Sequence, residues 1–257
     1  MSFRAKAERT SAQDYNNYFQ FMMEGKIEAW HNVMSLYRTN DFATYESMVE
    51  YAFYSLFLNC TSLTKAPVLP ATTLAESCYD SMFDGCTSLT KAPALPATTL
   101  ANGCYFSMFK GCQSLTQAPQ LPATTLADSC YFSMFDGCQS LTQAPVLPAT
   151  TLTDYCYNFM FRVCTSLTQA PQLPATSLAS YCYQQMFYGC QSLKEVRIAA
   201  IKKGTNVLYA LENWLSGVSA TGDFYCYPSA TIFPTDSASG IPKGWVRHAL
   251  ADYPVTP

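Results

Sequence analysis

A block of 26 residues recurs five times in tandem between Cys60 and Gly189. Each copy follows the pattern C-x-S-L-T-x-A-P-x-L-P-A-T-[TS]-L-x-x-x-C-Y-x-x-M-F-x-x, and a sixth copy opens at Cys190 before it diverges. A tandem period of this length is typical of a solenoid, in which copies of one supersecondary unit stack on each other. The repeat therefore predicts a stack of similar units with atypical units at its two ends.

The two halves of each unit predict a short strand followed by a short helix. In the second copy, residues 88–95 are apolar at intervals, and Pro93 limits strand pairing to roughly two to four residues before it. Beyond the corner, Leu100, Cys104 and Met108 recur at i, i+4 and i+8, the spacing of one helical face. Threonines before this stretch and glycines after it fit an N-cap and a left-handed C-cap. The predicted fold class is an α/β repeat, a solenoid of short parallel strands plus short helices.

The junction between successive copies resembles a known type of repeat. Residues 108–116, Met-Phe-Lys-Gly-Cys-Gln-Ser-Leu-Thr, resemble the F-x-x-C-x-S-L-T core of the BspA-like (Treponema-type) leucine-rich repeats, in particular the 26-residue variant with A-P-x-L-P-A-T. The resemblance covers residues 52 to about 199. The closing stretch 222–245 also looks like the ending of such arrays in proteins of gut anaerobes and their phages. The resemblance implies protein or glycan binding at a surface, and no catalysis.

Residues 1–51 lack the repeat and are predicted to form a helical N-terminal cap or assembly segment, ahead of the solenoid at 52–199. The segment either covers the first repeat, docks the array on a larger particle, or forms a small homo-oligomeric bundle. Residues 200–257 begin with a predicted helix over 207–215, become rich in Gly, Pro and Ser, and are predicted to be an irregular, partly β C-terminal cap. The stripe of the first predicted N-terminal helix comprises Tyr15, Tyr18, Phe19, Met22 and Met23, and a second predicted helix contains Ile27, Trp30, Val33, Met34 and Tyr37.

Eleven of the twelve cysteines fall on two registers of the repeat, and only Cys226 lies off them. We interpret both registers as structural ladders of buried free thiols that pack as small hydrophobic groups. Neither register has the spacing of a structural zinc motif, so no metal site is predicted. Unoxidised thiols indicate assembly in a reducing compartment such as a bacterial cytoplasm. The first ladder is Cys60, Cys86, Cys112, Cys138, Cys164 and Cys190, and the second is Cys78, Cys104, Cys130, Cys156 and Cys182.

The chain shows no recognisable catalytic constellation, cofactor motif or nucleic-acid footprint. Its only histidines are His31 and His248, both interpreted as structural or solvated, so no catalytic residue is assigned and the chain is predicted not to be an enzyme. A net charge of −3 with 13% charged residues gives no basic stripe for nucleic acid. No stretch approaches the ~18 apolar residues of a membrane span, and the N-terminus does not resemble a signal peptide. No cofactor and no membrane insertion are predicted.

Binding is the better-supported activity, because the repeat fixes its framework while a few positions vary between copies. Phe106 beside Phe132 would form an exposed aromatic pair of the kind found at contact surfaces. Variation of this kind also arises from simple exposure to solvent. The candidate contact surface comprises Phe106, Phe132, Asn158, Gln184, Lys110, Arg162 and Tyr188.

Three functional hypotheses follow. The first is a phage virion protein, a tail, fibre or decoration component made in the host cytoplasm, whose partners are other virion proteins or a protein or glycan of the host surface. The second is a bacterial surface adhesin located at the cell surface. The third is an intracellular scaffold.

Overall fold

The computed structural model describes residues 27–29, 32–36, 48–203, 207–237 and 239–250. Within these ranges the chain winds through stacked units joined by short parallel strands, so the predicted solenoid is confirmed. The described residues contain one short 3-10 helix and no α-helix. The elements are β1 (Ile27–Glu28), η1 (Val33–Leu36), β2 (Leu63–Lys65), β3 (Ser177–Leu178), β4 (Glu195–Ile198), β5 (Lys202–Lys203), β6 (Gly222–Cys226) and β7 (Trp245–Ala249).

The strands pair in parallel from one unit to the next. At the N-terminal end β1 pairs with β2, and at the C-terminal end β4, β6 and β7 form a three-stranded parallel sheet. β3 pairs with β5 over two residues, and elsewhere along the regular units pairing is reduced to single bridges such as those that join Lys91, Gln117 and Gln143. The proline two residues after each of these three positions, such as Pro93 after Lys91, has no amide to donate and prevents a longer ladder.

The second half of each unit is a series of consecutive β-turns, so the predicted helix is wrong. In the first complete copy the Cys78 amide donates to the Ala75 carbonyl at 3.3 Å, and the Met82 amide donates to the Tyr79 carbonyl at 3.2 Å. These bonds connect residue i to residue i−3, as in a β-turn, whereas an α-helix connects i to i−4. We call this segment of each unit the turn series.

Every fourth residue of the turn series has a left-handed backbone, which excludes a helix. In the first copy φ is +48° at Ser77, +54° at Ser81 and +74° at Gly85. A positive φ at the third position of a turn defines type II geometry, which glycine adopts without strain and small polar residues tolerate better than branched ones. Val163 occupies the glycine position of its unit and has a φ of +58°.

The alternate amides of the turn series bond to the next unit. The Ser77 amide donates to the Asn102 carbonyl at 3.0 Å, and the Tyr79 amide donates to the Cys104 carbonyl at 3.1 Å. Half of the donors are therefore satisfied within a unit and half between units, which meets the requirement that buried amides be paired. The turn series thus forms a second hydrogen-bonded ladder on the opposite side of each unit from the strands.

The core lies between the two ladders and consists of columns of identical side chains. Tyr105 stacks on Tyr131 with ring centroids 5.8 Å apart, and Phe83 stacks on Phe109 at 5.5 Å. Offset stacking at such distances is a favoured aromatic geometry. The cysteine side chains lie in the same core. All twelve are buried, and none forms a disulfide bond.

The stack extends beyond the regular copies at both ends. Ile27 pairs with Leu63, so the second helix predicted around Ile27, Val33 and Met34 is wrong, and a strand and a 3-10 helix take its place. Trp30 and the first predicted N-terminal helix, with Tyr15, Tyr18, Phe19 and Met22, lie outside the described residues. The boundaries at residues 51 and 199 stay predictions.

The divergent C-terminal segment keeps the turn geometry of the regular units. The Tyr183 amide donates to the Ala210 carbonyl at 3.0 Å, and the Glu212 amide donates to the Tyr209 carbonyl at 3.2 Å. The helix predicted over 207–215 is therefore wrong as well. Trp214 is fully buried at the end of the aromatic columns and packs against Phe233 with ring centroids 6.0 Å apart.

Candidate contact surface

The turn series presents a partly exposed aromatic cluster to solvent. Phe106 and Phe132 stack with ring centroids 4.4 Å apart and an interplanar angle of 4°. Phe159 meets Phe132 edge to face at 5.3 Å, and the Arg162 guanidinium lies 5.4 Å from the Phe159 ring centroid. We call Phe106, Phe132 and Phe159 the aromatic surface. All three rings are partly exposed and lie outside the hydrophobic core.

Arg162 links the aromatic surface to an acidic side chain of the previous unit. Its Nε donates to Asp136 Oδ1 at 3.1 Å, and the Asp136 side chain is mostly buried. Burial raises the pKa of Asp136, and the bond from Arg162 opposes that rise. The guanidinium is thereby held in place at the edge of the ring cluster.

The other predicted contact residues differ in exposure. Lys110 is exposed, and Tyr188 is exposed over 43% of its surface. Gln184 is partly exposed and Asn158 is buried, and the Asn158 amide donates to Gln184 Oε1 at 2.9 Å. Gln184 in turn donates to Glu212, which makes a chain of side-chain hydrogen bonds across three units. Of the predicted set, the structure brings Phe106 into contact with Phe132 and Asn158 into contact with Gln184, whereas Arg162 reaches Phe132 only through Phe159.

A column of tyrosines was missing from the prediction. Tyr155 and Tyr181 stack with ring centroids 4.4 Å apart, and Tyr209 continues the column at 5.4 Å. All three have a positive φ, of +58°, +56° and +48° respectively. A bulky residue in this conformation is strained, and such strain tends to persist where a function needs the side chain. We call these three residues the tyrosine column.

The same position carries small residues in three earlier units, and a groove of about 500 Å³ lies there. Ser77, Gly103 and Ser129 stand where later units have tyrosine. Tyr54 and Phe106 also line the groove. Its remaining lining residues are Glu76, Asp80, Ser81, Asn102 and Asp128.

Asp80 is the most perturbed carboxyl of the groove. Its side chain is buried, and this burial raises its pKa to about 7. A hydrogen bond from the Ser81 hydroxyl at 2.7 Å lowers the pKa, and the charge of Asp84 raises it. Desolvation dominates because removing a carboxylate from water penalises its charged form. The groove therefore holds a carboxyl that is poised between its two protonation states near neutral pH.

A second polar cluster lies on the C-terminal strands. His248 Nε2 lies 2.7 Å from Asp223 Oδ1, and the His248 ring stacks on Tyr225 at 4.7 Å. The Arg197 guanidinium lies 4.0 Å from the centroid of the Tyr225 ring on β6, and Arg197 also pairs with Glu195 at 2.8 Å. Within the described residues, no group of three or more His, Cys, Asp or Glu side chains is placed to hold a metal ion.

The thiols are held away from solvent. Burial raises the pKa of Cys60 to about 11 and that of Cys78 to about 12, and the other cysteines are shifted upward as well. Thiol groups with such pKa values are poor nucleophiles at neutral pH, since the thiolate is the reactive form. In the part of the chain that the structure describes, no helix has the length and apolar character that crossing a membrane requires.

Parallel strands, turn ladders and a continuous core describe a solenoid of stacked units. Residues 105–210 match the family model described as BspA type leucine rich repeat region, in six copies. This stretch is therefore a BspA-type leucine-rich repeat region, which confirms the resemblance drawn from residues 108–116. A search of the curated proteins found no match to the chain, and a search of the solved structures found none. Repeats of this family are typical of binding or structural proteins, often at surfaces, and are not typical of enzymes.

Proposed function

We propose that this protein is a non-enzymatic binding protein that contacts another protein or a host-surface molecule through the turn series. The observation that carries the proposal is the aromatic surface, in which Phe106, Phe132 and Phe159 form one cluster outside the core. Aromatic side chains supply large contact area at low cost in conformational entropy, and they dominate the energetics of interfaces. Arg162, at the edge of the cluster, adds a second residue type that is enriched in such sites.

The finer proposal is that the protein is a phage virion component, a tail, fibre or decoration protein. The two ladders of buried free thiols support assembly in a reducing compartment, and phage structural proteins fold in the bacterial cytoplasm. Its partners would then be other virion proteins or a protein or glycan of the host surface. A surface adhesin is the alternative that the family itself favours, because proteins with these repeats are often associated with a surface.

The location is tested by mass spectrometry of three fractions of a producing culture: purified virions, cell envelope and cytosol. A fixed ratio to other structural proteins in virions, kept through a density gradient, is the expected result. Enrichment in the envelope would replace the virion assignment with the adhesin, and recovery only from cytosol would indicate the intracellular scaffold.

The contact surface is tested with the double variant Phe132→Ala/Phe159→Ala. We expect it to fold and to lower particle incorporation or host-cell adsorption at least about tenfold, the loss expected when a binding hot spot is truncated. The matched control is Val246→Ala, which removes an apolar side chain that is 55% exposed on β7, far along the chain from the aromatic surface. Equal incorporation and adsorption by the double variant and the control would remove the aromatic surface from consideration.

A further inference from the structure

We propose that the groove at Asp80 and Phe106 binds an arginine side chain of a protein partner. The inference rests on the proposed binding function and names the chemistry of the partner at one place on the turn series. The groove has a volume of about 500 Å³ and is lined by residues of four successive units. It is large enough to admit a guanidinium group together with part of its aliphatic chain.

The charge of the groove selects a cation. Glu76, Asp80 and Asp128 all line it, and none of its described lining residues is basic. The other polar groups are hydroxyl and amide side chains, which add hydrogen-bond acceptors but no positive charge. A partner that places a positive group there would be electrostatically complementary to the walls.

The aromatic wall selects arginine over lysine. Phe106 lines the groove, and one face of its ring is covered by the parallel ring of Phe132. A planar guanidinium stacks on an aromatic face and also forms two parallel hydrogen bonds with a carboxylate, whereas an ammonium group acts as a point charge. A wall with a ring and a buried carboxyl therefore fits a guanidinium in both respects.

The groove exists because three consecutive units omit the aromatic residue that later units carry. Ser77, Gly103 and Ser129 occupy the position of Tyr155 and Tyr181, whose rings stack on each other further along the array. A tyrosine at Gly103 would project its ring into the same opening. The opening is thus limited to the units that carry Ser77, Gly103 and Ser129.

The burial of Asp80 gives the proposed site a pH dependence. Its pKa is raised to about 7 by desolvation, and the carboxyl groups that also line the groove are those of Glu76 and Asp128, with the charge of Asp84 adding to the rise. A bound guanidinium favours the ionised carboxylate, so it should lower this pKa. By linkage, binding should be stronger above about pH 7 than below it.

The test is a titration of the isotope-labelled full-length protein with N-acetyl-arginine amide, followed by NMR. We expect saturable shifts confined to the groove residues, a fall in the pKa of Asp80, and affinity at least roughly tenfold weaker with N-acetyl-citrulline amide, which has the same shape but no charge. Asp80→Asn and Phe106→Leu should each weaken binding by roughly three- to tenfold. The matched control Asp236→Asn removes an exposed acid outside the groove and should bind like the wild type.

Equal affinity for the citrulline and arginine probes would overturn the proposal, as would shifts located away from the groove. Preferential binding of a methyl hexoside would also overturn it and indicate a glycan site. Spectra of each variant before titration separate misfolding from loss of binding. If the arginine probe fails while Phe132→Ala/Phe159→Ala still lowers adsorption, the groove assignment falls and the proposed function stands.

Discussion

The Sγ atom of Cys138 lies 3.1 Å from the carbonyl oxygen of Phe109, in the preceding unit, and donates a hydrogen bond to it. The same bond recurs along the first cysteine ladder, for example from Cys112 to Phe83 at 3.2 Å. The thiol therefore fills space in the core and adds a second hydrogen bond to the Phe109 carbonyl, which also accepts the Cys112 amide at 3.1 Å. This double role favours a buried, reduced cysteine in every unit.

Alkylation should report the burial of these thiols. Burial raises the pKa of Cys182 and that of Cys190 to about 12, so almost no thiolate forms at about pH 8. We expect iodoacetamide to leave the ladder cysteines of the folded protein unmodified over hours and to label all twelve in guanidinium chloride. Mass spectrometry of the intact protein gives the count. Rapid labelling of Cys138 without denaturant would contradict the described core.

Replacing Val163 with glycine should stabilise the protein. Val163 has a φ of +58°, where equivalent units have Gly137 and Gly189 with φ near +75°. A β-branched residue in this region is strained by about 1–2 kcal/mol, and the greater chain entropy of glycine offsets part of the relief. We expect Val163→Gly to raise the free energy of unfolding in urea by about 1 kcal/mol. Val163→Ala is the control, since it keeps the Cβ atom, and an equal gain from both variants would refute the explanation by strain.

Stability should fall as the pH rises from about 4 to about 7. Asp80 has a folded-state pKa of about 7, above the ordinary value of its unfolded form, so the folded protein binds more protons between these limits. Asp80→Asn should flatten the curve and stabilise the protein at about pH 8, by at most roughly 4 kcal/mol at about 1.4 kcal/mol per pKa unit. Urea unfolding across this pH range measures the effect, with Asp236→Asn as the control. A wild-type curve that rises with pH throughout would contradict the assignment.

Truncating Trp214 should open the C-terminal end of the core. The ring is fully buried, meets Phe224 edge to face at 5.9 Å, and donates from Nε1 to the Gly240 carbonyl at 3.0 Å. We expect Trp214→Ala to cost about 3–5 kcal/mol in urea unfolding, the usual range for a buried aromatic residue. Trp214→Phe should cost only about 1–2 kcal/mol, because it keeps most of the packing and loses the hydrogen bond. A loss below 1 kcal/mol for Trp214→Ala would show that this end is not a packed core.

The stack and its columns could be predicted from sequence because the repeat is close to invariant at its apolar positions. The predicted helix failed because three apolar residues, such as Leu100, Cys104 and Met108, match a helical face and a four-residue turn period almost equally well. An α-helix rotates such a series by only about 40° per step, which three members do not reveal. The discriminating signal was the small residue at every fourth position, as at Ser107 and Gly111, where the backbone is left-handed.

The predicted contact residues were located only in part, since exposure depends on pairings between units. Phe106 and Phe132 followed directly from the repeat register. Asn158 is buried and bonds to Gln184 of the next unit, a pairing that one copy alone does not show. The groove lies where Gly103 lacks a side chain, which is visible only when the copies are compared. The tyrosine column could have been found by comparing copies, because Tyr155 and Tyr181 replace residues that are small in the units before them.

The turn amides of each unit donate to carbonyls of the next unit along the chain, and its turn carbonyls accept amides of the previous unit. The Tyr79 amide donates to the Cys104 carbonyl in this way, and the Tyr105 amide to the Cys130 carbonyl. Excising one whole copy, for example residues 112–137, would rejoin two surfaces that already match donor for acceptor. Recombination between the near-identical gene segments could therefore lengthen or shorten the array without a new kind of contact. Such events would change the spacing of the exposed rings and the width of the acidic opening while leaving the interior unchanged, so this architecture lets binding properties diversify faster than the fold.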